Sequence, residues 1–272
     1  MSAEHRFLEI AAEDRGQPEL LSELFAGKRL GAIVRGAFDA SAIERFRTAL
    51  AGPASPVTAA RTPHYGGVEY GRALVVSDDL ERYFAEAEAL RAACQTLEFS
   101  FEEQLCRVLA AFGSGFSFES PATRGGRHYA LATIRRLEVG GGIDVHCENE
   151  TLGFPAMSGL RAAIEPTTQL SYYVPLLTPE AGGELRVYRA RHGEGVGKSL
   201  ERLDRKHPDT LGAVEATGFA TAETRAGDLL IFDSGRHFHR VTPVEGSRER
   251  WTMGGFLALS RERERRIVYY WG

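Results

Sequence analysis

The feature that most constrains this chain is a change of texture near residue 129. From Tyr129 onward, short apolar runs follow one another closely: ALATIRRLEV, IDVHCEN, QLSYYVPLL, GELRVYRA, TAETRAG, DLLIFDS, HFHRVTPV and RWTMGGFLAL. Gly, Pro, Asp and Ser separate them, as turn residues separate strands. Many short strands at such spacing favour a sandwich or jelly-roll barrel over a parallel α/β sheet. Two helical interruptions are expected within this region, at FPAMSGLRAAI and VGKSLERLDRKH. No internal repeat is present.

Residues 1–115 are mostly helical in pattern. Ser41 and Glu44 have the spacing of a capping box opening AIERFRTALAG, and Gly52 offers a stop. Asp79 precedes LERYFAEAEALRAACQTL, in which Leu80, Tyr83, Phe84 and Ala87 share one helical face. FEEQLCRVLAAFG is a further amphipathic helix ending at a glycine. Leu30 to Val34 is a short apolar run with the character of a strand. These helices are expected on the outside of the barrel, which makes the fold class mainly β with flanking helices.

The 272 residues, 43% hydrophobic and 26% charged, suit one globular domain spanning 1–272, since no Pro/Ser/Gly-rich linker or charge block divides them. The net charge of -4 is spread along the chain and carries no basic footprint for nucleic acid. No run approaches the length of a membrane-spanning helix. MSAEHRFLEIAAEDRG is acidic and lacks the apolar core of a signal peptide. Cys94, Cys106 and Cys147 show no CxxC spacing and are expected as reduced thiols, consistent with a cytoplasmic location.

IDVHCEN carries the first chemical signal. On a strand, residues i and i+2 face the same way, so His146 and Glu148 form a pair of divalent-metal ligands with Cys147 opposite. The glycines at 140, 141 and 142 suggest a bend before it. GDLLIFDSGRHFHRVTPV supplies the second signal, a hairpin that can bring a histidine from a remote strand. Two histidines and one carboxylate on one face of an octahedron form the facial triad of non-haem iron(II) oxygenases. His239 is favoured over its rival His237, because Val241 and Val244 continue the strand core from it while His237 lies nearer the turn.

A 2-oxoglutarate co-substrate chelates iron at its 2-oxo acid end and leaves a second carboxylate needing a permanent, forked cation. Arginine meets that need. Arg248 and Arg250 lie on the next β segment and are expected to share a face, with Arg250 deeper and Arg248 in reserve. Ser171 either lines the pocket or fills the barrel. His64, in TPHYGGVEYG, is expected as an exposed loop histidine. GGGID is followed by no helix and is no nucleotide loop; no nucleophile elbow appears.

ATIRRLEVGGGIDVHCEN, QLSYYVPLLTPEAGGELRVY, GDLLIFDSGRHFHRV and TMGGFLALSRERERRIVYYWG closely resemble the carrier-protein-independent iron(II)/2-oxoglutarate enzymes of hapalindole- and welwitindolinone-type alkaloid biosynthesis, which are aliphatic halogenases. The likeness includes AIVRGAF, is strongest from Tyr129 onward and weakens between Arg191 and Ala222. It implies a double-stranded β-helix (cupin-like jelly roll), the cofactors Fe(II), 2-oxoglutarate and O2, and a free small-molecule substrate without a carrier protein. It supports His239 over His237, because the halogenases place a tyrosine at the latter position, and it points to Arg250 for the keto acid. Local match carries over Gly66, Gly67, Ile143, Thr151 and Ser171 as substrate-pocket positions.

One departure stands out. The halogenases have glycine where this chain has Glu148, and that glycine leaves an iron position for chloride. A glutamate there implies a His146, Glu148, His239 ligand set and hydroxylation of an aliphatic C–H bond, with a secondary metabolite as substrate. The alternatives are a halogenase of the same fold and a cupin-type metalloenzyme that does not use 2-oxoglutarate.

Overall fold

The computed structural model describes residues 5–14, 16–62, 65–200 and 208–272. The order begins β1 (Phe7–Ala11), α1 (Leu20–Phe25), β2 (Gly31–Arg35), α2 (Ala40–Ala51), β3 (Ala59–Thr62), β4 (Gly67–Tyr70), α3 (Leu80–Thr96), α4 (Phe101–Phe112) and β5 (Ser117–Glu119). Next come β6 (Thr133–Leu137), β7 (Ile143–His146), α5 (Ser158–Ala163), β8 (Leu170–Leu177), β9 (Ala181–Gly182) and β10 (Leu185–Arg191). The last elements are α6 (Gly195–Leu200), α7 (Pro208–Glu215), β11 (Phe219–Ala222), β12 (Leu229–Phe232), β13 (His237–Val241), β14 (Val244–Glu245), β15 (Arg250–Leu259) and β16 (Ile267–Trp271).

Local signals place the helix ends. Asp79 caps α3 by accepting the Arg82 N–H at 3.1 Å. The expected capping box at Ser41 is replaced by a cap two residues earlier: Asp39 Oδ1 accepts the Ala42 N–H at 2.7 Å, and Ser41 donates its hydroxyl to the same oxygen. Aspartate is the better acceptor, so α2 starts sooner. Tyr83, Phe84 and Ala87 are buried along α3, whereas Leu80, at the helix entrance, is exposed.

The first 115 residues also hold more strand than their texture suggests. β1, β3 and β4 join β2 in one large sheet of order β1-β2-β12-β8-β15-β6-β4-β3, and β16 pairs with both β15 and β5. TPHYGGVEYG, expected as a loop around His64, ends in the fully buried strand β4. Gly67 allows this: a Cβ there would lie 2.1 Å from the Arg136 carbonyl oxygen across the β4–β6 ladder. TAETRAG is likewise shifted, because β11 ends at Ala222 and the chain then turns into β12. Of the expected helix VGKSLERLDRKH, α6 covers the start, and residues 201–207 lie outside the described residues.

A second, smaller sheet runs β11-β10-β13-β7, all antiparallel. The two sheets face each other across one apolar cluster. Ile33, Leu137, Leu230 and Phe232 of the large sheet meet Leu185, Val187, Ala220 and Val241 of the small one. β8 shows how alternation divides the two sides. Leu170, Tyr172, Val174 and Leu176 pack outward with Phe46, Leu90, Phe101, Leu105 and Phe112 of the helices, while Ser171 and Tyr173 face the space between the sheets. The chain is therefore mainly β, with helices covering the outer face of the large sheet. Among the described residues no helix is long and apolar enough to cross a membrane. Cys94, Cys106 and Cys147 are all free.

Candidate metal centre

His146 ends β7, and His239 sits opposite it in the antiparallel β13–β7 register. Two hydrogen-bonded neighbours of one sheet thus deliver both imidazoles. Glu148 lies past the strand end, at the start of a 3-10 turn over Glu148–Gly153. Strand alternation does not govern its direction; the turn does, and it still aims the carboxylate at the histidines. Oε1 lies 3.5 Å from His146 Nε2 and 3.8 Å from His239 Nε2. Among the described residues these three form the one group whose donor atoms could hold a metal ion, all within 4.8 Å of one another.

Backbone carbonyls fix the imidazoles. His146 Nδ1 donates to the Asp144 carbonyl at 2.7 Å, and His239 Nδ1 donates to the His237 carbonyl at 3.0 Å. Each Nε2 is thereby left with its lone pair toward the shared space, the arrangement that metal-ligating histidines adopt. Burial pushes the Glu148 carboxyl up, but when the imidazoles are protonated at Nε2 their hydrogen bonds and charge outweigh it and hold it well below the usual carboxylate range. His239 is lowered by burial and by the charge of His146. For His146 burial also acts downward, yet the neighbouring Glu148 raises it overall. A buried anion facing two imidazoles fits a divalent cation.

The centre opens on a cavity between the sheets lined by Arg135, Ile143, Ser171, Tyr173, Arg250 and Thr252, among others. Arg250, at the first position of β15, is buried and lies 5.1 Å from the Tyr173 ring centroid. Its guanidinium lies 3.5 Å from Thr252 Oγ1, a long hydrogen bond. Burial lowers its pKa. Arg248 is not on the strand and does not share its face. It precedes β15, is exposed, and donates to the Thr178 and Pro179 carbonyls at 2.7 and 3.4 Å. The strand starts only at residue 250, so the period-two rule does not extend back to 248.

The other expected residues divide. Ile143 and Ser171 line the cavity, and Ser171 donates to the Ser234 hydroxyl at 2.7 Å. Gly66, Gly67 and Thr151 do not line it. Gly66 borders an adjoining cleft that shares Ile143 and Val241 with the cavity. Gly67 is consumed by strand pairing, and Thr151 donates to the Glu148 carbonyl at 2.8 Å, bracing the 3-10 turn. His237 turns away, donating Nδ1 to the Tyr188 carbonyl at 2.9 Å. His64 lies outside the described residues.

Arg135 was not foreseen. It shares the cavity with Arg250, and its Nε lies 3.4 Å from Glu69 Oε1, which also accepts the Tyr65 hydroxyl at 2.9 Å. The available signal was alternation in TIRRL, which puts Arg135 on the face opposite the core residue Ile134.

The family model described as "Carrier-protein-independent halogenase WelO5" matches residues 4–272. The chain belongs to the WelO5 family. No curated protein matches it in sequence. In fold, this WelO5 family member is similar to an N-substituted L-amino acid dioxygenase from Burkholderia ambifaria AMMD, with TM-score 0.61, 14% identity, and 93% and 90% of the two chains covered. The same dioxygenase in complex with alpha-KG gives TM-score 0.55 at 14% identity, again covering 93% of this chain and 90% of that one. An oxidoreductase of the 2OG-Fe(II) oxygenase family from Burkholderia pseudomallei gives 0.50 at 16% identity, covering 96% and 98%. At such identities the likeness is one of fold. Fold, family and the His-Glu-His centre agree on an oxidoreductase of the iron(II)/2-oxoglutarate superfamily.

Proposed function

We propose that this WelO5 family member hydroxylates an aliphatic C–H bond of a free small molecule, an apolar or alkaloid-like secondary metabolite. Fe(II), 2-oxoglutarate and O2 are its cofactor and co-substrates. The observation that carries the proposal is the Glu148 carboxylate, whose Oε1 faces both imidazole Nε2 atoms. The two facing sheets are read as a double-stranded β-helix and the whole chain as one domain.

His146, Glu148 and His239 would hold the ferrous ion. A ferrous ion held there would let O2 act as the oxidant: the keto acid would leave as succinate and CO2, one oxygen atom going to succinate and the other to the substrate. The protein's part is binding and placement. Arg250 offers a forked cation to the keto acid's far carboxylate in a site where few competing partners exist. Arg135 adds a second positive charge, offset by Glu69. Phe232, Leu185 and Val241 make the walls apolar and exclude water. Ile143 and Ser171 are the residues proposed to meet the substrate, with Gly66 reached through the adjoining cleft.

Glu148 also supports hydroxylation over halogenation, because its carboxylate would occupy the ligand position that glycine leaves to chloride in the halogenases. The test is anaerobic addition of Fe(II) and then 2-oxoglutarate. A visible charge-transfer band should form and be lost in His146→Ala, and turnover should release succinate with oxygenated product. Chlorinated product in the unaltered protein, or turnover without succinate, would overturn the proposal.

A further inference from the structure

A second cleft lies away from the metal centre and holds cations without a lining carboxylate. It measures about 450 Å³ and is lined by His5, Gly27, Lys28, Arg29, Leu30, Arg189, Arg191 and His237. It shares no lining residue with the metal-centre cavity. Four permanent cations meet there, and no carboxylate is among the described lining residues. The chain as a whole is acidic, with a net charge of -4, so this concentration is local and not compositional.

The counter-charges do not balance it. Arg29 pairs with Glu23. Among the described residues Arg191 meets the Glu194 carboxylate at 3.9 Å, and its buried Nε has no hydrogen-bond acceptor. Lys28 and Arg189 are exposed and have no ion pair among the described residues. The two imidazoles add no negative charge. His5 lies 5.8 Å from His237, and each ring uses one nitrogen on a backbone carbonyl, of Val187 and Tyr188 respectively.

Helix α1 ends beside Lys28, and a helix C-terminus favours cations. That accounts for little here, because α1 has six residues and Arg189 and Arg191 come from β10. Converging cations repel one another, so such a cluster is least costly when an anion sits among them. Guanidinium forks match the oxygens of phosphate groups, and lysine adds a point charge. The volume is within the range of small-ligand sites.

We propose that this cleft is a binding site for a small phosphate-bearing polyanion, separate from the keto-acid site. Lys28 and Arg189 supply its unpaired charges and Arg191 an unsatisfied donor.

The test uses the full chain and inorganic pyrophosphate as probe. Calorimetric titration at fixed ionic strength should show saturable one-to-one binding that equimolar chloride does not reproduce. The Lys28→Ala/Arg189→Ala double variant, whose altered side chains are exposed, should bind about tenfold or more weakly. Its circular dichroism spectrum and its charge-transfer band with Fe(II) and 2-oxoglutarate should be unchanged. Pyrophosphate binding that is unaltered in the double variant, or absent from the unaltered protein, would overturn the proposal. Acidic lipid surfaces present the same phosphate chemistry. Binding to phosphatidylglycerol vesicles without binding of pyrophosphate would reject the small-ligand assignment.

Discussion

His239 stands directly opposite His146 across the β13–β7 ladder, with their ring centroids 4.1 Å apart. The proposed iron site is therefore set by one strand register, and Glu148 completes it from a turn. The consequences can be tested one residue at a time.

Glu148→Gly should remove the carboxylate while leaving both imidazoles in register. Hydroxylated product is expected to fall by about 10–100-fold or more, since even outer-shell partners of metal ligands have effects of that size. Mass spectrometry of products formed with and without chloride measures the loss and any chlorinated species. Undiminished hydroxylation would remove Glu148 from the coordination sphere.

Arg250→Ala should weaken 2-oxoglutarate binding by roughly 2–5 kcal/mol, the cost of truncating one partner of a buried charge pair. Arg250→Lys should fall between, because lysine keeps the charge but loses the fork. Arg248→Ala should change little, since its guanidinium serves the Thr178 and Pro179 carbonyls. Titration of the charge-transfer band separates the three.

Burial pulls His5 from 6.5 down to about 4 in the folded protein. Between those values the unfolded chain takes up a proton that the folded state refuses. Stability is therefore fullest above pH 6.5 and declines as pH falls from 6.5 toward about 4. His5→Gln, which keeps an N–H for the Val187 carbonyl, should flatten that slope in thermal denaturation. An unchanged slope would show that His5 titrates normally.

Gly67→Ala should destabilise the fold by about 1–3 kcal/mol or more, the usual cost of overpacking. Its new Cβ would fall 2.1 Å from the Arg136 carbonyl oxygen, which is backbone and cannot swing aside. A melting temperature equal to that of the unaltered protein would show that β4 can shift without penalty.

The chemistry of the centre was legible in one dimension. His146, Glu148, His239 and Arg250 were recognisable as two imidazoles, a carboxylate and a forked cation, because ligand type is a property of the side chain alone. The strand-rich second half and the helix following Asp79 were equally visible, since alternation, turn residues and helical periodicity act within a few neighbours. Tertiary structure decided the rest. Arg248 and Arg250 differ by where β15 begins, and one residue of strand start reverses or abolishes facing. Arg135 became part of the cavity only through pairing of β6 with β15. β1, β3 and β4 are strands because the large sheet recruits them, and Glu148 meets the histidines through a turn that alternation did not describe. Those outcomes depend on hydrogen bonding between segments distant along the chain, and no local pattern carries that information.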